Sequence, residues 1–334
     1  MRQREVLRER LDALVATFDV STIEPDPLQL VLRYDDPRDA EVAGLLAAAF
    51  AYGRADIVVA NVGAVLAKMR PSPYAYLANF DREEATKRFR RFSHRFHKTD
   101  ELVALLACIA SVIATHGTLG KLFEECYDGA DKDIGPTLTR FVMAIRGAAD
   151  VPVRQSRRRA ATAPAEPVLT RRADEGVRPS SAAALSYLLT SPHDGSACKR
   201  MNLYLRWMVR RTSPDLGLWT FVDPAKLVMP VDTHIHRIAT FLGLSDRKSA
   251  DWKAARAITD ELARFDASDP VRYDFALCRL GILDLCSRKR RKENCDVCLL
   301  RPVCRFPVSK SNRLETAGLH KRAGSSRKRL KPTV

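Results

Sequence analysis

Apolar residues recur at helical spacing along most of the chain. Residues 5–18 predict an amphipathic helix, and the alanine- and leucine-rich run 38–51 predicts a second helix, followed by a third through Lys68. The long apolar stretch 102–116 predicts a buried helix that ends at Gly117. No stretch of useful length alternates as a strand does. The pattern therefore predicts an all-α fold.

The C-terminal half of the chain contains three further predicted helices. They span about 196–210, 232–241 and 252–265, and the third has an apolar face that includes Trp252, Ile258 and Leu262. Asp232 follows Pro230 and stands where an N-cap residue accepts backbone N–H bonds. An ordinary cap is therefore one interpretation of Asp232. Lys199, near the start of the first of these helices, has a similarly plain interpretation as one cation of a basic helical turn.

Residues 88–98 combine basic and aromatic side chains in a way that allows two interpretations. The segment contains Phe89, Phe92, His94, Arg95, Phe96 and His97. Such a composition suits phosphate contact together with base stacking. It is equally typical of a half-buried helix with one solvated face.

The composition indicates a globular protein with a full hydrophobic core. The chain has 334 residues, of which 46% are apolar, enough for one large or two medium domains. The apolar run 102–114 is too short to span a bilayer, and the amphipathic N-terminus has no signal-peptide core. We therefore predict a cytoplasmic protein with no membrane association.

The net charge of +16 is concentrated in a few segments. Residues 151–180 have a net charge of +4 and residues 306–334 a net charge of +7, and both have the composition of disordered segments. Of the remaining +5, the loop 287–294 supplies +4 through five consecutive cations, Arg288, Lys289, Arg290, Arg291 and Lys292. Adjacent cations repel one another unless a polyanion offsets the repulsion, so this loop predicts contact with a nucleic-acid backbone.

Four of the eight cysteines form a cluster in the sequence with the spacing C-x8-C-x2-C-x5-C. They are Cys286, Cys295, Cys298 and Cys304. Clustered cysteines in an intracellular chain indicate a metal site rather than disulfides. The spacing alone is compatible with zinc and with a four-iron cluster.

Three segments resemble the helix-hairpin-helix DNA glycosylases of the endonuclease III type. VDTHIHR (231–237) is similar to the segment that carries their catalytic aspartate, and 286–304 is similar to their iron–sulfur loop. SPHDGSACKRMNLYL (191–205) stands where those enzymes have the hairpin and, in bifunctional members, a nucleophilic lysine. The resemblance covers residues 37–306. The hairpin keeps Gly195 alone of the usual two glycines, and the long interval from Lys199 to Asp232 is more similar to archaeal glycosylases for oxidised guanine.

The resemblance implies a two-lobed helical fold with defined parts. Residues 1–36 would form an N-terminal helix that packs on the cluster lobe, residues 37–150 and 181–240 the helical region with the hairpin, and residues 241–306 the last helices and the iron–sulfur loop. Residues 151–180 would be a disordered basic insertion, and 307–334 a disordered basic tail. The resemblance also favours a 4Fe-4S cluster over zinc on Cys286, Cys295, Cys298 and Cys304.

The resemblance further implies a repair enzyme that excises a damaged base and cleaves the strand. Lys199 would be the nucleophile and Asp232 the carboxylate that stabilises positive charge developing on the sugar. An oxidised purine such as 8-oxoguanine is the favoured substrate, double-stranded DNA the partner, and a nucleoid-associated monomer the expected state. A non-catalytic iron–sulfur protein that binds DNA or RNA is the alternative. The implied DNA contacts outside the cationic loop are Tyr52, Arg54, Gly195, Ser196 and Arg200.

Overall fold

The computed structural model describes residues 2–148, 181–287 and 291–306, and this part of the chain is almost entirely helical. The predicted all-α class is confirmed. The insertion predicted at 151–180 and the tail predicted at 307–334 lie outside the described residues. In chain order the helices are α1 (Arg2–Val15), α2 (Leu28–Val31), α3 (Pro37–Ala49), α4 (Ala55–Ala67), α5 (Pro73–Ala78), α6 (Arg82–Arg88), α7 (Thr99–His116), α8 (Leu119–Cys126), α9 (Gly135–Gly147), α10 (Ser181–Leu188), α11 (Lys199–Val209), α12 (Thr233–Leu242), α13 (Trp252–Ala263), α14 (Asp274–Ile282) and α15 (Lys292–Asp296).

Helix α3 lies at the centre of the first half of the fold. Asp36 caps it by accepting a hydrogen bond from the backbone N–H of Arg38, and Pro37 occupies its first position. Every residue from Asp39 to Ala49 is buried, because α2, α5 and α11 all pack on this helix. The small side chains of the run 47–49 allow this close packing, and the helix ends at the junction that leads into α4.

Helix α7 is the buried helix predicted from the apolar run, and it ends as predicted at Gly117, whose φ is +85°. It extends over 18 residues, from Thr99 to His116, and so begins three residues before the predicted helix 102–116. By length and composition alone it could cross a membrane, but 67% of it is buried against the rest of the protein. A core helix passes the same test of length and composition, and α7 packs against α5, α6, α8 and α10.

A buried ion-pair network joins α11 to α14. The Arg206 guanidinium donates to Asp215 at 3.1 Å and to Asp274 at 2.5 Å, and all three side chains are at most 2% exposed. Removing one partner from such a network leaves an uncompensated buried charge, at a typical cost of about 3–5 kcal/mol. The network therefore joins α11 to α14, the two helices that carry Lys199 and Cys278.

The basic and aromatic segment 88–98 forms a small β-hairpin and not a helix. Helix α6 ends at Arg88, and strands β1 (Ser93–His94) and β2 (His97–Lys98) pair antiparallel around a turn formed by Arg95 and Phe96. The prediction of a half-buried helix here is wrong. Arg95 has a φ of +56°, so its backbone lies in the left-handed region that a tight two-residue turn requires and a helix excludes.

The N-terminal helix α1 packs on the C-terminal part of the chain. It contacts α14 and the short turn 301–303 that lies inside the cysteine segment. Asp12 of α1 accepts a hydrogen bond from the Tyr273 hydroxyl at 3.3 Å, and Arg4 pairs with Glu261 of α13 at 3.3 Å. These contacts link α1 to α13 and α14, so the N-terminal helix supports the C-terminal part of the described chain.

Candidate active-site cleft

A cleft of about 440 Å³ opens where α11, α12 and α14 meet the α3–α4 junction and the segment 25–27. Its polar lining comes from five separate parts of the chain, one of which is the α3–α4 junction with Arg54 and Asp56. Lys199 is the first residue of α11, Asp232 precedes α12, Cys278 belongs to α14, and Asp26 lies ahead of α2. Both residues that the sequence nominates for catalysis, Lys199 and Asp232, thus line one cavity.

Lys199 is positioned by an unusual turn ahead of α11. Gly195 has a φ of +72° and Cys198 a φ of +49°, so two residues of the turn adopt the left-handed conformation. The second glycine of the glycosylase hairpins that this segment resembles is absent. In this turn Cys198 takes up a conformation that a glycine adopts more easily. Lys199 Nζ donates a hydrogen bond to the carbonyl oxygen of Ala51 at 3.1 Å. This bond ties the amine to the end of α3, at the mouth of the cleft.

Asp232 is both an N-cap and a cleft residue. Its Oδ1 accepts hydrogen bonds from the backbone N–H groups of His234 at 2.8 Å and Ile235 at 2.9 Å, as the cap interpretation predicts. Both bonds fall on Oδ1. Among the described residues no donor to Oδ2 is found, so one carboxylate oxygen of a cleft-lining residue is not used by the cap.

Helices α12 and α14 come into close contact beside Asp232. A Cβ atom built on Gly281 would lie 2.8 Å from the Cβ of His234, closer than real Cβ atoms approach one another. Glycine at 281 therefore allows the N-terminal end of α12 to approach α14. His234 lines the cleft, whereas His236 hydrogen-bonds to the carbonyl oxygen of Arg247 at 2.9 Å, so neither faces the other.

Asp26 and Cys278 are among the polar residues of the cleft that were not nominated from the sequence. The Asp26 side chain is 3% exposed, and its Oδ1 accepts a hydrogen bond from the backbone N–H of Leu28 at 2.9 Å. Burial raises the pKa of the Cys278 thiol well above its usual value, and Asp274, Asp232 and Asp26 raise it further. The thiol is therefore neutral near pH 7. No sequence motif marks either residue, because only the fold brings them to Lys199.

Arg200 points away from the surface that the sequence assigned to it. Its side chain is buried, and its guanidinium donates to the carbonyl oxygens of Ala49, at 3.3 Å, and Tyr187. It also lies over the rings of Tyr187 and Tyr52, 4.5 and 5.3 Å from their centroids. Because these contacts satisfy the guanidinium inside the protein, we assign Arg200 a structural role in joining α3, α10 and α11, in place of the predicted DNA contact.

Tyr52 likewise lies inside an aromatic cluster beside the cleft. Its hydroxyl is 2.5 Å from Nδ1 of His97, and its ring stacks on Phe96 with centroids 5.7 Å apart. Phe96, at the tip of the β-hairpin, is 57% exposed, and Tyr187 of the same cluster is 42% exposed. Gly53, which lines the cleft, lies directly under the Arg95 side chain. Phe96 is therefore the more exposed of these two rings, on the hairpin whose Arg95 covers Gly53.

The other nominated contacts occupy different positions around the cleft. Arg54 lines it, is 78% exposed in its side chain and pairs with Asp56 at 2.6 Å. Gly195 is exposed in the hairpin turn, and Ser196 accepts a hydrogen bond from the backbone N–H of Cys198 at 3.1 Å. In the cationic loop, Arg291 and Lys292 are exposed, and Arg291 pairs with Asp284 at 2.7 Å. The predicted contacts Arg288, Lys289 and Arg290 lie outside the described residues.

The two ends of the cysteine segment, at Cys286 and Arg305, contact α12, the helix that Asp232 caps. Arg237 donates to the carbonyl oxygen of Cys286 at 2.6 Å, and the backbone N–H of Arg305 donates to Phe241 at 2.7 Å. Burial raises the pKa of the Cys286 thiol, and the thiols of Cys304, Cys298 and Cys295 raise it further. Within the described part of the chain, no three His, Cys, Asp or Glu side chains are close enough to hold a metal ion, so the metal site stays a prediction.

The fold and the cleft define an all-α protein that brings a lysine together with a buried carboxylate, Asp26, and a partly exposed one, Asp232. Over residues 26–283 the chain matches a family described as a protein of unknown function, DUF2400, and it is a member of that family. The matched region includes Asp26, Lys199, Asp232 and Cys278, and it ends before Cys286. Comparisons with the curated proteins and with the solved structures found no match.

Proposed function

We propose that this protein is a DNA glycosylase with abasic-site lyase activity, built on a two-lobed helix-hairpin-helix type of fold. The observation that carries the proposal is the placement of Lys199 and Asp232 in one cleft, on two different helices. An amine nucleophile and a carboxylate that faces the same cavity are the two groups such a reaction requires. A protein that only bound nucleic acid would need neither group at a cleft.

The chemistry divides between the two residues. In its neutral form the Lys199 amine attacks C1′ of the extruded nucleotide, the N-glycosidic bond breaks, and its electron pair leaves with the base, which takes up a proton. Positive charge develops on the sugar during this step, and the Asp232 carboxylate stabilises it. Sugar-ring opening then gives a Schiff base on Lys199. Loss of a C2′ proton and of the 3′ phosphate breaks the strand by β-elimination.

Extrusion of the base requires a side chain that takes its place in the stack, and Phe96 is better placed for this than Tyr52. An exposed aromatic ring can stack between bases, whereas the Tyr52 ring is held inside the cluster by Phe96 and the two buried histidines, His94 and His97. Arg54, exposed on the same junction, is free to contact a phosphate or the opposite base once it leaves Asp56.

The remaining parts of the proposal concern DNA binding. Double-stranded DNA would lie across the hairpin turn at Gly195 and Ser196 and the cationic loop 288–292, and the protein would act as a cytoplasmic, nucleoid-associated monomer. Cys286, Cys295, Cys298 and Cys304 would hold a 4Fe-4S cluster, with zinc as the alternative metal. Four thiolates match the chemistry of such a cluster, and its role would be to fix the loop against α12.

The test is base release from a panel of duplexes that each contain one damaged base, with 8-oxoguanine first. Wild-type protein should release at least one base, and Asp232→Asn should reduce the rate about 100-fold or more because the sugar cation loses its countercharge. Asp81→Asn is the matched control, since Asp81 caps α6 in the same way but does not line the cleft.

A wild-type protein that binds lesion DNA and releases no base from any duplex would support the alternative, a non-catalytic DNA- or RNA-binding protein. An Asp232→Asn variant that is as active as Asp81→Asn would instead remove Asp232 from the mechanism while leaving a glycosylase.

A further inference from the structure

Asp26 is a buried carboxylate with spare hydrogen-bonding capacity at the cleft. Its side chain is 97% buried, since only 3% is exposed, and one bond, from the backbone N–H of Leu28, falls on Oδ1. Among the described residues no donor to Oδ2 is found, although the residue lines the cleft. An ionised carboxylate can accept about four hydrogen bonds, so Asp26 has capacity left for further donors. A ligand in the cleft that offers N–H groups could use that capacity.

The segment that carries Asp26 is held rigidly from α14. The Arg279 guanidinium, which is 2% exposed, donates to the carbonyl oxygens of Ile23 at 3.1 Å and Glu24 at 2.5 Å. Together with the bond to Leu28, these contacts fix the backbone on both sides of Asp26. A binding group held in this way loses little conformational entropy when its ligand arrives.

We propose that Asp26 reads the base in the cleft, and that it selects a purine with the guanine type of hydrogen-bonding edge. This inference rests on the proposed function. Guanine and its 8-oxo derivative present two adjacent donors, N1–H and the N2 amino group, which match the two oxygens of a carboxylate. The edges of adenine and cytosine pair a donor with an acceptor, and thymine places one donor between two acceptors. Each of these would set a base acceptor against a carboxylate oxygen.

The neighbourhood of Asp26 suits this role. The Cys278 thiol is neutral, so it adds no second negative charge beside the base, and Lys199 lies in the same cavity to meet the sugar. A role for Asp26 as a helix cap alone does not account for its burial in the cleft, because Asp128 makes the same turn, with its Oδ1 accepting from Ala130 at 2.8 Å, on the exposed surface.

The experiment measures calorimetrically the binding of deoxyguanosine and deoxyinosine, which differ only in the N2 amino group, to the full-length protein. Wild type should bind deoxyguanosine roughly 10-fold more tightly or better, as expected for one hydrogen bond to a charged group. Asp26→Asn keeps an oxygen that can accept from Leu28 but replaces the other by a donor, so the preference should disappear. Asp128→Asn is the control and should keep it.

Equal binding of the two nucleosides by wild type would overturn the inference, and so would an Asp26→Asn variant that keeps the preference. Strand cleavage of a duplex with a preformed abasic site separates this result from the proposed function, because that reaction needs no base. If wild type cleaves abasic DNA but shows no nucleoside preference, the glycosylase proposal is supported and the role of Asp26 is contradicted. A nucleoside preference without cleavage of abasic DNA would support the role of Asp26 and contradict the proposed enzymatic activity.

Discussion

At the scale of single residues, Asp232 combines two roles that the sequence presents as alternatives. Its Oδ1 caps α12, and its Oδ2 is left outside the cap at the cleft. A helix N-terminus also carries partial positive charge, which stabilises a carboxylate that must stay ionised. The cap therefore positions the group on which the proposed chemistry depends.

The Gly281→Ala variant tests whether the close approach of α12 to α14 contributes to the stability of the fold. Gly281→Ala should lower the free energy of unfolding by about 1–3 kcal/mol, because the new methyl group overlaps the Cβ of His234, which cannot swing aside. Urea unfolding followed by circular dichroism measures the change.

Gly63→Ala is the control for Gly281→Ala. Gly63 lies in α4, and a Cβ there would meet Leu30 at 3.5 Å, an ordinary contact. Alanine should be neutral or stabilising at this position by roughly 0.5–1 kcal/mol, because it favours the helix. Equal losses for the two variants would mean that the contact at Gly281 does not determine the packing.

The site could be predicted from the sequence only in part. Lys199 and Asp232 were nominated because their surroundings resemble a known pattern, and the structure brings them into one cleft. Asp26 and the direction of the Arg200 side chain could not be predicted, since both depend on which elements meet in space. Arg200 is buried and connects helices, and the local sequence does not distinguish such an arginine from one on the surface.

At the scale of elements, the hairpin 93–98 was missed because its strands have two residues each, too few to show alternation. The same segment holds two buried histidines. His94 Nδ1 accepts from the Asn61 amide at 3.0 Å, and its Nε2–H donates to the carbonyl oxygen of Tyr52 at 3.1 Å. Both ring nitrogens are thus used by the neutral form.

These histidines predict a loss of stability in mild acid. Burial lowers the pKa of His94 and that of His97, so the unfolded chain binds a proton more readily than the folded protein does. The stability they contribute is complete above the unfolded pKa of about 6.5 and falls as the pH drops below it. The urea midpoint should be lower at pH 5.5 than at pH 7.5.

The His94→Gln variant distinguishes the contribution of the β-hairpin 93–98 to the loss of stability in acid from the contributions of other groups. Glutamine cannot titrate, so the variant should be less stable than wild type at pH 7.5 and should lose less stability on going to pH 5.5. A pH dependence identical to that of wild type would place the sensitivity in other groups.

The cysteine segment is the second element with a testable role. Protein purified without oxygen should be brown, and Cys295→Ser or Cys298→Ser should lose the metal and loosen the segment against α12. Metal content and visible absorption measure the first effect. Cys108→Ser, a buried cysteine of α7 outside the segment, should keep the colour. A colourless wild type with one zinc per chain would replace the iron–sulfur prediction by its alternative.

At the scale of the whole molecule, the all-α class and most helix positions followed from periodicity, because long amphipathic helices have a strong signal of their own. The predicted helices at 5–18, 38–51, 102–116 and 252–265 correspond to α1, α3, α7 and α13. The packing of α1 on the C-terminal part of the chain was expected only from the resemblance, and the meeting of five chain segments at the cleft had no such signal. Contacts between distant segments depend on side-chain fit across the core.

The distribution of charge predicts how salt weakens DNA binding. Arg291→Gln together with Lys292→Gln should reduce the slope of log K against log salt by roughly two on undamaged duplex, since each phosphate contact contributes about 0.9. Fluorescence anisotropy at several salt concentrations gives the slope.

Lys121→Gln together with Lys253→Gln removes the same charge from α8 and α13, which contribute no residue to the cleft. This control should leave the slope nearly unchanged. A larger effect of the control pair would place the DNA on another face of the protein.

The central claim is that the Lys199 amine reacts with a sugar in this cleft, and borohydride trapping tests it most directly. Wild-type protein mixed with a duplex that contains an abasic site should form a covalent complex on reduction, and peptide mass spectrometry should locate the adduct on Lys199. Lys199→Ala should form less than about 1% of that complex while binding the duplex with similar affinity, because one cation among many contributes little. The absence of a complex with wild type, or an undiminished complex with Lys199→Ala, would contradict the account.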